Sequence, residues 1–161
     1  MIRRIEIKDA EEIKDIYNHY IQNTIITFEE SPIDIVEMTK RIKTTLEHYP
    51  WLVYADYSKI IGYAYASPWN PRSAYKNSVE STIYLHPKEQ RKGIGTQLYS
   101  KLIEELNELN IHTIIGVIAL PNNGSVALHE KLGFQKAGHF KKIGNKFGKW
   151  IDVGYWQLIK E

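Results

Sequence analysis

Apolar residues recur along the chain with two spacings, near two and near three to four, and their alternation predicts the order of elements. Residues 2–7 read as a first strand. Asp9 then suits a helix N-cap, with Glu12 three residues on as its capping-box partner, and Ile13, Ile16, Tyr17 and Tyr20 follow at helical spacing. Ser31 and Pro32 predict a second helix start, with Ser as cap and Pro in the first turn. Ile35, Met38, Ile42 and Leu46 give that helix its apolar stripe. Two strands over 51–57 and 60–67 are joined by a tight turn at Ser58 and Lys59. Asn70, Pro71 and Arg72 begin an irregular stretch, and 79–85 is a further strand. Gly93 opens a helix with Ile94, Leu98, Leu102, Leu106 and Leu109 on one face, which stops at Asn110. A buried strand over 112–119 comes next, then a short helix that starts after Asn122 and ends at Gly133. Residues 134–140 and 149–159 read as a closing strand pair.

The predicted order is therefore β α α β β β α β α β β, seven strands and four helices. Strand, helix and strand in succession imply a crossover, so the class is α/β (α+β) with a mixed central sheet. Such a domain takes ligands at the carboxyl ends of its strands. No repeat, low-complexity tract or linker interrupts the pattern, and residues 1–161 read as a single domain. Hydrophobic residues make up 43%, ample for one core, which excludes a disordered chain. The net charge of +2 lacks the basic excess of a sequence-independent nucleic-acid binder. Four lysines between Lys141 and Lys149 lie among aromatics, but in a charge-balanced chain they read as a solvated hairpin rather than an RNA patch. With no cysteine, disulfides, thiolate metal sites and cysteine nucleophiles drop out. The histidines His19, His48, His86, His112, His129 and His139 show no metal-ligand spacing, so no metal is expected. No apolar run approaches the ~20 residues of a membrane span, so the expectation is a cytoplasmic protein without membrane contact.

The most informative chemistry lies where the 79–85 strand gives way to the Gly93 helix. Gly93 and Gly95 sit at the start of an amphipathic helix, where unpaired N–H groups and the positive dipole end favour an anion. Arg91 and Lys92 add positive charge. A Walker loop needs Gly-Lys-Ser/Thr, and here Lys92 precedes Gly93. A dinucleotide fingerprint needs a third glycine where Leu98 stands. What remains is Gln/Arg-x-x-Gly-x-Gly/Ala, matched by Gln90 to Gly95.

That stretch resembles motif A of the GCN5-related N-acetyltransferases (GNAT superfamily). Downstream, the run from Asn122 to Phe134 is similar to the family's Asn-x-x-Ala-x-x-x-Tyr-x-x-x-Gly-Phe, with Ser125 at the small position and His129 in place of Tyr. Pro50-Trp51, Pro68-Trp69, Arg72 to Tyr75, Glu80 to Tyr84, Leu128-His129-Glu130 and Gly144 to Gln157 extend the likeness over almost the whole chain. Together they resemble the phosphinothricin and methionine sulfone/sulfoximine N-acetyltransferases, which also carry His at the position of His129.

The resemblance implies a GNAT fold, a mixed central sheet of about seven strands flanked by about four helices, and acetyl-CoA as cosubstrate. Its pyrophosphate would meet Arg91, Lys92, Gly93, Ile94, Gly95 and Thr96. Its pantetheine arm would follow Ile83, Tyr84 and Leu85, with Asn122 and Ser125 on the other side. Glu80 falls at the subfamily's proposed base; read without the resemblance it is a solvated strand-edge carboxylate sooner than a base. His129 would protonate the leaving thiolate, or else only pack and hydrogen-bond. Arg72, Tyr75 and Phe28 are the candidates for the acceptor, Arg72 because its planar fork binds two oxygens of a carboxylate or phosphinate. An exposed loop arginine is the plain alternative. The implied activity is acetyl transfer to the α-amine of a small amino-acid-like substrate, in a homodimer. Transfer to peptide N-termini and a non-catalytic CoA-binding module are the competing readings.

Overall fold

The computed structural model describes residues 1–90 and 92–161. Arg91, expected at the anion site, lies outside the described residues. In chain order the elements are β1 (Ile2–Arg4), α1 (Ala10–Asn23), α2 (Ile35–Leu46), β2 (Trp51–Asp56), β3 (Lys59–Pro68), β4 (Ser78–Leu85), α3 (Ile94–Glu108), β5 (Thr113–Leu120), α4 (Asn123–Lys131), β6 (Gln135–Lys146) and β7 (Lys149–Ile159). The strands form one sheet in the order β1-β2-β3-β4-β5-β7-β6. Among the described residues only the β4–β5 pair is parallel, because α3 carries the chain back across the sheet between them. This is the mixed seven-stranded, four-helix architecture expected from the pattern. None of the described helices is long and apolar enough to cross a membrane.

Strand alternation sends neighbouring residues to opposite faces, and each face buries its own core. On one side Leu98, Leu102 and Leu106 of α3, all fully buried, pack on Ala64, Ala66, Val79 and Ile114. Each such leucine contributes about 1.5–3 kcal/mol of burial. On the other side Ile13 and Ile16 of α1 and Met38 and Ile42 of α2 pack on Trp51, Val53 and Tyr63. Asn110 ends the α3 region with φ +59°, where the stripe predicted a stop.

Several local expectations are corrected. Asp9 precedes α1 but makes no cap bond to it. Its carboxylate is gripped by both Arg3 guanidinium nitrogens, at 2.7 and 2.9 Å, and accepts the Glu6 N–H at 2.8 Å. Charge-assisted bonds outweigh a neutral cap bond. Glu12 instead accepts the Ile60 N–H at 2.8 Å, tying α1 to the β2–β3 hairpin. The second helix starts later than Ser31: Asp34 caps it by accepting the Glu37 N–H at 2.8 Å. Asn18 pins Ile33 through both its N–H and its carbonyl, which holds the 31–33 stretch out of the helix. The β2–β3 turn falls on Tyr57 and Ser58, one residue earlier than expected, with Asp56 paired to Lys59. β6 runs to Lys146, well beyond 140, and turns at Phe147 and Gly148, both with positive φ as a tight hairpin requires. Its lysines are not all solvated, since Lys146 is 1% exposed.

Candidate active site

β4 and β5 pair only from Ser78–Thr113 to Ser81–Gly116. Beyond that point they part, while β4 stays paired to β3 as far as Leu85 and β5 to β7 as far as Leu120. The inner edges of Thr82 to Leu85 and Val117 to Leu120 thus face a gap in the sheet. A sheet edge without its neighbour offers free N–H and C=O groups to a ligand.

Two adjoining cavities fill the gap and share Ile26, Ile83, Tyr84, Asn122 and Ser125. The first, of about 410 Å³, ends on Gly93, Gly95 and Thr96 at the start of α3. Gly93 stands at the N-cap with φ +76°, a conformation that disfavours any residue with a Cβ, and among the described residues no side-chain cap bond is made to the helix start. The first-turn amides therefore face outward unclaimed by a cap. Lys92 does not line this cavity and is paired with Glu89 at 2.5 Å, and Ile94 is buried in the helix. Leu85 lines it, but its carbonyl already accepts the Tyr20 hydroxyl at 2.5 Å, and Gln90 donates to that hydroxyl at 3.0 Å. Asn122 caps α4 by accepting the Ser125 N–H at 3.1 Å, which seats both residues on the wall opposite β4.

The second cavity, of about 460 Å³, has Glu80 and Ser81 at its base, where the strands begin to part. No described residue donates a hydrogen bond to the Glu80 carboxylate, and burial pushes its pKa up. A raised pKa means the folded state holds the proton more tightly than the unfolded chain does. Stability from such a group is complete below its unfolded pKa and is lost as pH rises through the folded one. Glu80→Gln removes that loss. Its Tm is expected to exceed the wild-type value at neutral and alkaline pH, with the gain shrinking towards about pH 4, as thermal melts across that range will show.

His129 is 4% exposed and borders the same cavity. Its Nδ1–H donates to the Ser125 carbonyl at 2.7 Å, and its Nε2 accepts from the Tyr99 hydroxyl at 3.0 Å. Tyr99 in turn hydrogen-bonds Ser81 inside the core. Burial pushes the imidazole pKa down, opposed by the bond to Ser125. Both ring nitrogens are thus hydrogen-bonded within the protein. Gly116 leaves room for that ring, since a Cβ there would run into it.

Of the acceptor candidates, Phe28 lines the second cavity. Arg72 and Tyr75 do not; they are exposed on a single turn of 3-10 helix and its cap, although Trp69 nearby makes an edge contact with the cavity residue Tyr155 at 6.2 Å. Sequence reasoning missed Tyr17, Tyr65 and Tyr155, which also line this cavity, and Ile143, which comes from β6. Tyrosines in strands signal packing as readily as a site, so only the fold separates these from the rest.

The family model described as an acetyltransferase (GNAT) domain matches residues 2–154. A phosphinothricin N-acetyltransferase of Streptomyces viridochromogenes is 38% identical, over 97% of this chain and 85% of that protein. An L-methionine sulfoximine/L-methionine sulfone acetyltransferase of Pseudomonas aeruginosa is 33% identical, over 98% of this chain and 92% of that protein. Among solved structures, the yncA protein of Salmonella typhimurium, determined with its cofactor acetyl-CoA, superposes with a TM-score of 0.97 at 30% identity, covering 100% of this chain and 94% of that one. A family match over nearly the whole length, joined to so close a chain trace, settles membership: this chain belongs to the GNAT family of acetyltransferases.

Proposed function

We propose that the protein transfers the acetyl group of acetyl-CoA to the α-amine of a small amino-acid-like substrate such as phosphinothricin, methionine sulfone or methionine sulfoximine. The observation that carries this reading is the uncommitted Glu80 carboxylate at the base of a cavity that opens into the gap between β4 and β5. In this reading the pyrophosphate lies on the amides of the α3 N-terminus, and the pantetheine arm follows Ile83 and Tyr84. The thioester then reaches the junction of the two cavities, beside Glu80. Glu80 takes a proton from the ammonium directly or through a water, and the neutral amine attacks the thioester carbon. The C–S bond then breaks to release CoA as its thiol, the sulfur taking up the proton that the acetylated nitrogen gives up. An N–H on the open edge of β4 is suited to the oxyanion.

The names of the relatives support the acceptor class, and a cavity of about 460 Å³ has room for a free amino acid. Arg72 and Tyr75 remain candidates for the acceptor's polar end, met at the cavity mouth or across a homodimer. The exposed Phe140, Phe147 and Trp150 of the β6–β7 hairpin suit such a dimer face. Release of free thiol from acetyl-CoA, followed with a thiol-reporting dye over a panel of amino acids, methionine sulfone, methionine sulfoximine, phosphinothricin and an N-terminal peptide, tests the reading. Turnover is expected with the sulfone, sulfoximine or phosphinothricin. Turnover with the peptide alone would replace the small-substrate assignment, and acetyl-CoA binding without any turnover would favour the non-catalytic one.

A further inference from the structure

The second cavity is closed on one side by the loop between α1 and α2, which contributes Ile26, Thr27 and Phe28. A loop wall defines an acceptor site only if something fixes it, and here much of the fixing comes from β6. Between the Phe140–Val153 and Gly144–Ile151 pairs, β6 carries three residues against the single Asp152 of β7. This bulge is closed by the Lys142 N–H donating to Asp152 at 2.8 Å, with φ +51° at Lys142. Bulges re-aim the side chains around them. Ile143 lines the cavity, Gly144 lies against the Phe28 ring so closely that a Cβ would overlap it, and Lys146 reaches under the loop.

Lys146 is the unusual residue. Its side chain is buried, and its ammonium donates to the Thr27 carbonyl at 2.7 Å, a contact spanning 119 residues of sequence. Burying a lysine is costly unless the charge is compensated. Glu29 and Glu30 of the same loop supply the opposite charge. Glu29 is itself held by both terminal nitrogens of Arg41, at 2.7 and 2.8 Å, and by the Tyr17 hydroxyl. The loop is thus gripped from α2 through Arg41 and from β6 through Lys146, with Phe28 seated on a glycine between them.

We propose that Gly144 and Lys146 are positioning residues that fix the 26–30 loop, so that the β6 bulge sets which acceptors fit the cavity. Neither touches the acceptor; both act through Thr27 and Phe28. The proposal rests on reading this cavity as the acceptor site.

The test combines hydrogen exchange with steady-state kinetics in Lys146→Met, Gly144→Ala, Phe28→Ala and the Gly144→Ala/Phe28→Ala pair. In Lys146→Met, exchange at the Ile26, Glu29 and Ile33 amides is expected to quicken about ten-fold or more while α3 is unchanged. The acceptor KM should rise about ten-fold with acetyl-CoA affinity within about two-fold of wild type, a split that general destabilisation would not produce. Gly144→Ala should raise the same KM, and in the Gly144→Ala/Phe28→Ala pair the rise should fall short of the sum of the two single effects, since the two positions meet directly. A folded Lys146→Met protein with unchanged loop exchange, or with faster exchange and an unchanged acceptor KM, overturns the proposal. If Lys146→Met does not fold, additive rather than less-than-additive effects in the Gly144 and Phe28 pair overturn it. Absence of turnover by the wild-type protein counts against the functional reading instead, and the exchange measurement still judges whether Lys146 holds the loop.

Discussion

Glu80→Gln is expected to lower kcat/KM for the amine by about 10²–10⁴, the usual worth of a positioned general base. The substitution keeps the shape of the side chain and its place on β4, between Ser67 on β3 and Ile115 on β5, so cofactor binding should persist. The loss should be deepest at low pH and should recover in part as pH rises. An α-ammonium titrates near about 7.7–8 or above, so at alkaline pH more of the amine is already neutral and the base matters less. Burial raises the Glu80 pKa, so the acid limb of the wild-type profile should sit above that of an ordinary carboxylate, where the base becomes protonated and unable to accept. Initial rates from about pH 6 to 9 at saturating acetyl-CoA decide the matter. A variant with wild-type activity throughout that range removes Glu80 from the mechanism.

Gly95→Val is expected to abolish acetyl-CoA binding, read as loss of the Tm rise that the ligand gives the folded wild-type protein. A Cβ at Gly95 would meet only Leu128 and Leu85 side chains, at ordinary van der Waals distance of 3.5 Å, so the helix should still form. The branched side chain would instead stand where a pyrophosphate has to approach the backbone. Gly93→Val is the less clean experiment. That position has open space around a Cβ but φ of +76°, so a β-branched residue there strains the backbone at the helix start. Folded Gly95→Val protein with unchanged affinity for acetyl-CoA would contradict the placement of the cofactor.

What the sequence made legible follows from how local each signal is. The α3 stripe and the Gly93 and Gly95 turn are contiguous, and the structure puts them where the pattern placed them, at the end of the strand that leads into the cleft. Asn122 and Ser125 come from the family motif, which is likewise contiguous, and the structure shows them as a cap and its partner three residues apart. Asp9 and Ser31 misled because long-range partners decided their roles: Arg3 and Glu6 claim the Asp9 carboxylate, and Asn18 holds the loop after Ser31. The far half of β6 reads in the sequence as a solvated, lysine-rich hairpin rather than as part of the strand, which the pattern ends at 140. It is an edge strand held by backbone pairing to β7, and its bulge breaks the period of two. The parting of β4 and β5 has no sequence signature beyond the family likeness, because it is a property of two strands separated by a helix. The tie between Lys146 and Thr27, distant in sequence, is of the same kind.

The most direct test of the account is a crystal structure with CoA and methionine sulfone bound together. The pyrophosphate is predicted on the amides around Gly93 and Gly95, and the thiol at the junction of the two cavities by Tyr84 and Asn122. The amine is predicted within about 2.6–3.2 Å of the Glu80 carboxylate or one water away from it. CoA bound outside the β4–β5 gap, or an amine beyond the reach of Glu80 and of any water it holds, would contradict it.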